Sequence, residues 1–531
     1  MIGELLEQLQ GANRRMQRME HQLEQLLRRL YGRSAERLDP NQMVLFADLL
    51  AQLQPETPPA PEAPTAPPAP SASGGHGRRR IPEDLPRRRV VHDLAEDEKP
   101  CPCCGKMRQM IGEETSEQLD YEPAKLSVIE HVRLKYACRA CEQAAAEGGP
   151  QIATAEKPLA PIEKGLAAPG LLAYVIVSKY SDHLPLYRLE RILARHKIDI
   201  ARSTMCDWMR ASAEALKPLY DLMVREVLAS KVIHTDDTPV DVLDRNLPET
   251  RIGRFWVYVG DRDHPCDVFT YTANRSRDGP MTFLKGWGKD ARRYLQADAF
   301  GGYDVIYAGQ AGGQVTEVAC WSHARRKFYE ARTSDSATAT QALAYIRLLY
   351  DVEDEAKEQF RRQGEGDGAR PAGAEPREAR PLAAIRLELR QAKAVPLLAQ
   401  FKAWLESLLP GGPARESVAQ RSPVLPKSPM GQAIGYVLNQ WDALNVYVTD
   451  GDLAIDNNAA ENALRRIAIG RKNWLFCGSD NGGHTAAVLF SLIATCQRHD
   501  VNPFAYLRDV LARIAAHPMH RLAELLPDRW Q

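Results

Sequence analysis

The sequence has no apolar run long enough to cross a membrane. The longest, near residues 166–177 and 486–496, fall far short of the ~20 residues that a spanning helix needs. The N-terminal stretch is polar and periodic and so unlike a secretory signal, and a cytoplasmic location is expected. There is no excess of one charge, with 69 basic against 69 acidic residues, so no global field draws the chain to nucleic acid. A disulfide framework is also missing. The ten cysteines are unevenly spread, and five of them fall between Cys101 and Cys141, which points to metal instead.

What is present is ordinary for a soluble globular chain, 44% apolar and 26% charged, and 531 residues call for several domains. The first thirty residues carry Ile2, Leu5, Leu9, Ala12, Met16, Met19, Leu23, Leu26 and Leu30 at alternating spacings of three and four. That is the a/d seam of a coiled coil, and self-association is expected; a single amphipathic helix packed on its own domain has the same pattern. Residues 55–75 hold eight prolines and then serine and glycine, the composition of an extended linker. Arg78, Arg79 and Arg80 follow, then a second triplet from Arg87 to Arg89. Such arginines can track a phosphate backbone or enter a minor groove, or can belong to a solvated linker.

Cys101-Pro-Cys-Cys104-Gly and Cys138-Arg-Ala-Cys141 form two C-x-x-C knuckles. Four thiolates so paired hold Zn²⁺ tetrahedrally, with Cys103 able to replace a neighbour. Four sulfur ligands leave no open position, so this zinc would be structural.

Residues 165–230 read as helices, with a weak helix-turn-helix suggestion around His196 and a cap at Ser203 or Thr204. From Lys231 short runs rich in β-branched and aromatic residues predict strands at 232–242, 254–260, 267–272, 293–297 and 315–320. A helix is expected from near His323, and mixed strands and helices indicate an α/β or α+β core. The chain thus divides into a leucine-rich helix (1–53), a Pro/Arg-rich linker (54–92), a zinc-binding module (93–157) and a helical DNA-binding region (158–230). A first core segment (231–333), a helical insertion (334–450) and the rest of the core with C-terminal helices (451–531) complete it. Within the insertion, residues 362–381 have a disordered composition.

Three acidic motifs stand out: His234-Thr-Asp236-Asp237-Thr238, Gln296-Ala-Asp298-Ala-Phe-Gly-Gly-Tyr303 and Asp456-Asn-Asn-Ala-Ala-Glu461-Asn. Two carboxylates at strand ends and one on a helix can converge on a pair of divalent ions, as phosphodiester chemistry requires. Each also has a plain structural reading. Asp236 or Asp237 suits a turn or strand end, Asp298 a loop, and Glu461 a capping box with Asn458 or an i,i+4 pair with Arg465.

These motifs, with Gly75–Arg87, Cys320-Trp-Ser-His323-Ala-Arg-Arg326 and Arg471-Lys-Asn-Trp-Leu-Phe-Cys-Gly-Ser479, resemble the bacterial insertion-sequence transposases of the IS-sixty-six type over nearly the whole chain. The resemblance implies a multidomain α+β protein with a ribonuclease-H-like α/β catalytic core, interrupted by an insertion before the glutamate. It implies a DDE triad of Asp236, Asp298 and Glu461 that binds Mg²⁺ or Mn²⁺, cleaves DNA at the element's ends and transfers strands to target DNA. The first motif departs from the family's usual Asp-Glu-Thr, which leaves Asp236 and Asp237 both open as first ligand. Arg465, Arg466, Arg471 and Lys472 can hold phosphates, His323 and Arg326 can approach metal or DNA, and residues 478–483 can contact phosphate or form a turn. The expected partners are double-stranded DNA (terminal inverted repeats and target), further copies of the chain and accessory proteins of the same element, with no membrane. Other readings are a non-catalytic DNA-binding descendant, or a metal-dependent nuclease without strand transfer.

The cysteine module gives a direct expectation. Purified protein carries about one Zn²⁺ per chain, and Cys138→Ser with Cys141→Ser removes it. Elemental analysis finding no zinc in fresh wild-type protein would refute the module.

Overall fold

The computed structural model describes residues 126–132, 135–137, 152–154, 159–163, 165–244, 246–366, 380–410 and 424–530. The heptad seam, the Pro-rich linker, Arg78, Arg79, Arg80 and the zinc cysteines Cys101, Cys104, Cys138 and Cys141 lie outside the described residues. β1 (Lys135–Ala137) and β2 (Ile152–Thr154) pair antiparallel as a separate two-stranded sheet, with Lys135 opposite Thr154.

Helices α1 (Pro169–Tyr180), α2 (Leu186–Arg195) and α3 (Arg202–Ala229) precede the main sheet. α3 starts at Arg202 after Ala201, which makes no side-chain cap bond, so the cap expected at Ser203 or Thr204 is absent. The first turn forms where Met205 N–H meets Ala201 C=O and where Met205, Trp208 and Met209 bury against the core. Burial of that apolar face outweighs a cap worth ~1 kcal/mol.

The main sheet holds β3 (Val232–Val242), β4 (Arg251–Val259), β5 (Asp267–Thr272), β6 (Arg293–Gln296) and β7 (Val315–Val318) in the order β5-β4-β3-β6-β7. β3, β4 and β5 are antiparallel neighbours, while β6 runs parallel to β3, and β7 parallel to β6. The strand spans follow the sequence expectation to within a few residues. Their β-branched and aromatic residues are buried: Phe255, Trp256, Val257 and Tyr258 on β4, Val268 and Phe269 on β5. Short α4 (Asp278–Phe283) and α5 (Asp304–Tyr307) flank β6.

After β7 the chain enters α6 (Trp321–Ala331) directly, then α7 (Ser336–Gly366), α8 (Leu382–Leu389), α9 (Val395–Ser407), α10 (Pro429–Asn439) and α11 (Trp441–Asn445). α7 runs five residues into the stretch that composition alone reads as disordered. These helices have their own apolar core around Tyr345, Phe401, Trp404 and Trp441, with the Tyr345 and Phe401 rings stacked 4.8 Å apart. The chain returns to the sheet in α12 (Asn458–Trp474), then β8 (Phe476–Cys477), which pairs with the far end of β3, α13 (Asp480–Arg498) and α14 (Pro503–Arg513). α1, α3, α13 and α14 share the core that covers β5 and β4. Among the described residues no helix is long and apolar enough to cross a membrane.

Two tethers fix the return. Arg390 is fully buried; it pairs with both oxygens of Glu353 at 2.7 and 2.9 Å and donates to the carbonyls of Tyr447, Asp450 and Leu453. A buried guanidinium is tolerable only when so completely paired, and the pairing pins the segment leading to Asp456. Along the same segment, Trp321 Nε1 donates to Leu444 C=O, Trp321 N–H to Ile455 C=O, and Gln296 Nε2 to Ala454 C=O at 2.7 Å. The insertion therefore delivers the start of α12 to the ends of β6 and β7.

The run Gly478-Ser479-Asp480-Asn481-Gly482-Gly483 is a helix start. Ser479 Oγ accepts from Gly482 N–H at 3.2 Å, the N-cap bond of α13. A Cβ at Gly483 would lie 2.6 Å from the Tyr271 ring, so glycine there allows α13 to lie against β5.

Candidate active site

β3 is the central strand, and its middle is open on one side. It pairs with β4 over His234–Val242, but with β6 only over Val232–His234 and with β8 only over Asp241–Val242. The backbone groups between must find other partners. Asn457 Nδ2 donates to Thr235 C=O at 2.8 Å, the Asp236 carboxylate accepts from the Asp237 N–H at 2.7 Å, and Arg471 donates to Pro239 C=O and Thr238 Oγ. Pro239 has no N–H to satisfy, which suits it to this gap. The opening is thus closed by α12 and its cap, and Asp236 sits within it.

Asp298 follows β6 by two residues, so its carboxyl lies beside Asp236 across the β3–β6 pair. Glu461 lies one turn into α12. The N-cap of that helix is Asn457, and Asn457 side-chain atoms go to Thr235 and His234 and form no cap bond. The capping box of Asn458 and Glu461 is therefore not formed, because the cap sits four residues before Glu461. The Glu461 side chain instead faces α6, with Oε1 3.7 Å from His323 Nε2 and Oε2 4.0 Å from Arg326. Asp298 Oδ1, Glu461 Oε1 and His323 Nδ1 are all buried without a hydrogen-bond partner.

The electrostatics follow from this crowding. Burial, and then the charges of Asp298, Asp237 and Glu461, push the Asp236 carboxyl up to about 7, against the lowering effect of the Asp237 N–H. Asp298 is also raised, chiefly by burial and with Asp237 adding, although Arg275 opposes. Burial lowers His323 below the usual imidazole range, outweighing Glu461, and raises the Cys320 thiol to about 11. Buried acceptors that repel one another and lack donors suit divalent cations, and the acceptor-only oxygens of Asp298 and Glu461 fit that role.

The two neighbouring aspartates of the first motif have different surroundings. The Asp237 side chain is 1% exposed and is paired with Arg254 at 2.9 Å and Arg275 at 2.8 Å. Asp236 has no such arginine and interacts with Asp298 and Glu461. Arg275 also reaches Asp298 at 3.4 Å and lies over the Phe300 ring at 4.1 Å.

Sequence reading missed Arg275, Arg254 and Asn457. Arg275 stands in a polar turn after β5 and Arg254 inside a strand, with no local signal. Asn457 lies within the third motif, where only its neighbours drew notice. Of the basic residues after Glu461, Arg465 and Lys472 are exposed, Arg466 is half-buried with Nη1 unpartnered, and Arg471 is bonded to β3.

Comparison with known proteins gives four family matches. The model of the Transposase IS66 family covers residues 164–485, and that of the zinc-finger binding domain of transposase IS66 covers 98–142. The IS66 C-terminal element covers 491–527, and a family described as Transposase C of IS166 homeodomain covers 18–90. Two proteins of Sinorhizobium fredii are similar over most of their length. "Uncharacterized protein y4hP" is 33% identical over 474 residues, 86% of this chain and 77% of its own. "Uncharacterized protein y4jD" is 30% identical over 463 residues, 85% and 81% respectively.

The raised Asp236 carboxyl makes a stability prediction. In the unfolded chain it ionises near 3.8, and in the folded protein at about 7. Between these values the folded state keeps a proton the unfolded state has lost, so stability falls as pH rises from ~4 to ~7 and stays lower above. Asp236→Asn removes this penalty while keeping an acceptor for the Asp237 N–H. Without added divalent cations its Tm should exceed wild type at pH 8, and by less at pH 5. A lower Tm than wild type at pH 8 would contradict the electrostatic account.

Proposed function

The chain belongs to the Transposase IS66 family, and from that premise we propose that it is a DDE transposase whose triad is Asp236, Asp298 and Glu461. What supports the proposal most is that the buried Asp236 carboxyl, in the middle of β3, feels the charges of Asp298, just beyond the end of the parallel strand β6, and of Glu461, one turn into α12. The core is ribonuclease-H-like in this reading. Three antiparallel strands followed by two parallel ones, with the first aspartate mid-strand on the central strand, support it.

Asp236, Asp298 and Glu461 would hold Mg²⁺ or Mn²⁺. When bound, such ions activate water or a 3′-hydroxyl and stabilise the attacking and leaving oxygens of phosphodiester exchange. Asp237 keeps Arg254 and Arg275 in place, and its own pairing favours Asp236 as the ligand. Arg275 and Arg326, at the rim of the cluster, are placed to meet the non-bridging oxygens of a scissile phosphate. The exchange has two parts. Water displaces the 3′-oxygen at the element's end and frees a 3′-hydroxyl; that hydroxyl then displaces a 3′-oxygen in target DNA, joining one strand.

DNA is the partner class that this family membership supports. Recognition of terminal repeats falls in this reading to the zinc-finger region, the arginines Arg78 to Arg80 and the basic face bearing Arg465 and Lys472. Pairing of two ends falls to the N-terminal heptads.

The test is a strand-transfer assay on a labelled terminal repeat. Asp236→Asn, Asp298→Asn and Glu461→Gln should each reduce cleavage and joining to background, with DNA binding kept, because groups that build one site act as a unit. Normal cleavage by all three variants would sink the mechanism. Cleavage without joining in the wild type would make the protein a nuclease, and binding without either would make it a non-catalytic relative.

A further inference from the structure

We infer that the imidazole of His323 is a nitrogen ligand for a divalent transition-metal ion that it shares with Glu461. The inference rests on the reading above that the carboxylate cluster holds divalent cations.

The two side chains are held together by their helix caps. Cys320 is the N-cap of α6, and Asn457 is the N-cap of α12. The Asn457 N–H donates to Cys320 Sγ at 3.1 Å, so the first turns of both helices are fixed against each other. His323 stands three residues after one cap and Glu461 four residues after the other. Their facing atoms, His323 Nε2 and Glu461 Oε1, are 3.7 Å apart. That is beyond a hydrogen bond. It suits two donors bound to one ion at ~2.0–2.2 Å each.

The remaining valences agree. Glu461 Oε1 and Asp298 Oδ1 are buried acceptors with no donor. Donor atoms of Cys320, His323 and Glu461 all lie within 4.8 Å of one another. The Cys320 sulfur already accepts the Asn457 N–H, which leaves the imidazole and the carboxylates as the free donors. A mixed nitrogen and oxygen set suits Mn²⁺, Co²⁺ or Zn²⁺ better than Mg²⁺, which prefers oxygen alone. His323 would thus set which metal this site prefers.

The probe is Mn²⁺, added to the purified full-length chain with its zinc retained, read by titration and by pulsed electron paramagnetic resonance. Bound Mn²⁺ should show coupling to a directly ligated ¹⁴N, and the coupling should change to the ¹⁵N pattern in protein labelled at histidine. His323→Ala should abolish it and weaken Mn²⁺ binding at least about tenfold, a loss seen even for outer partners of a metal ligand. Mn²⁺ that binds, and is weakened by Glu461→Gln, without nitrogen coupling in the wild type overturns the inference and leaves the carboxylate reading standing. Coupling that persists in His323→Ala also overturns it. If Mn²⁺ affinity is the same in wild type, Glu461→Gln and Asp236→Asn, the carboxylate reading falls and this inference with it.

Discussion

One fully buried amide, Asn457, joins the three pieces on which the site depends. Its Nδ2 closes the unpaired carbonyl of Thr235, its Oδ1 meets His234, and its backbone N–H reaches the sulfur of Cys320. The central strand, the cap of α6 and the cap of α12 therefore share one residue. Without it the strand that bears Asp236 would have an unsatisfied carbonyl in its open middle, and α12 would lose its registration. A lost buried partner of this kind costs ~1–3 kcal/mol, and here it would also displace Glu461.

The helical insertion serves the same end from further away. It separates Asp298 and Glu461 widely in sequence, yet Arg390 grips the carbonyls of Tyr447, Asp450 and Leu453 just before the third motif. Lys231, just before β3, pairs with Asp450 and Asp452 at 2.7 Å. The entropy of closing so long an excursion grows only slowly with its length, so a few well-paired tethers suffice to return the chain to the sheet. The chain can then keep Asp236 and Asp298 in the site although burial, and then the neighbouring charges, raise Asp236, and burial raises Asp298. Folding energy is spent on a cluster that a divalent cation would relieve.

Much of this was legible in the sequence, where period and residue type carry the signal. Strands β3, β5 and β6 were read closely because short runs rich in β-branched and aromatic residues mark them. The three acidic motifs were legible too, as was the helical character of much of the chain between β7 and Glu461. What was not legible depends on tertiary placement. The paired spacing of Asn458 and Glu461 suggested a local capping box, but the long-range bond of Asn457 to Thr235 shifted the cap by one residue. Asp236 and Asp237 are chemically alike in sequence; only Arg254 and Arg275, both distant along the chain, tell them apart. The glycine-rich run at 478–483 suggested a loop or phosphate contact, and packing of Gly483 against Tyr271 makes it the first turn of a helix.

The central claim is that Asp236, Asp298 and Glu461 together build one cation site. The most direct measurement is an anomalous difference map from crystals of the full chain grown with Mn²⁺. A peak is expected among these three side chains, with carboxylate oxygens from at least two of them within ~2.5 Å of it. Ordered carboxyls with no peak between them, beside Mn²⁺ bound elsewhere on the chain, would contradict it.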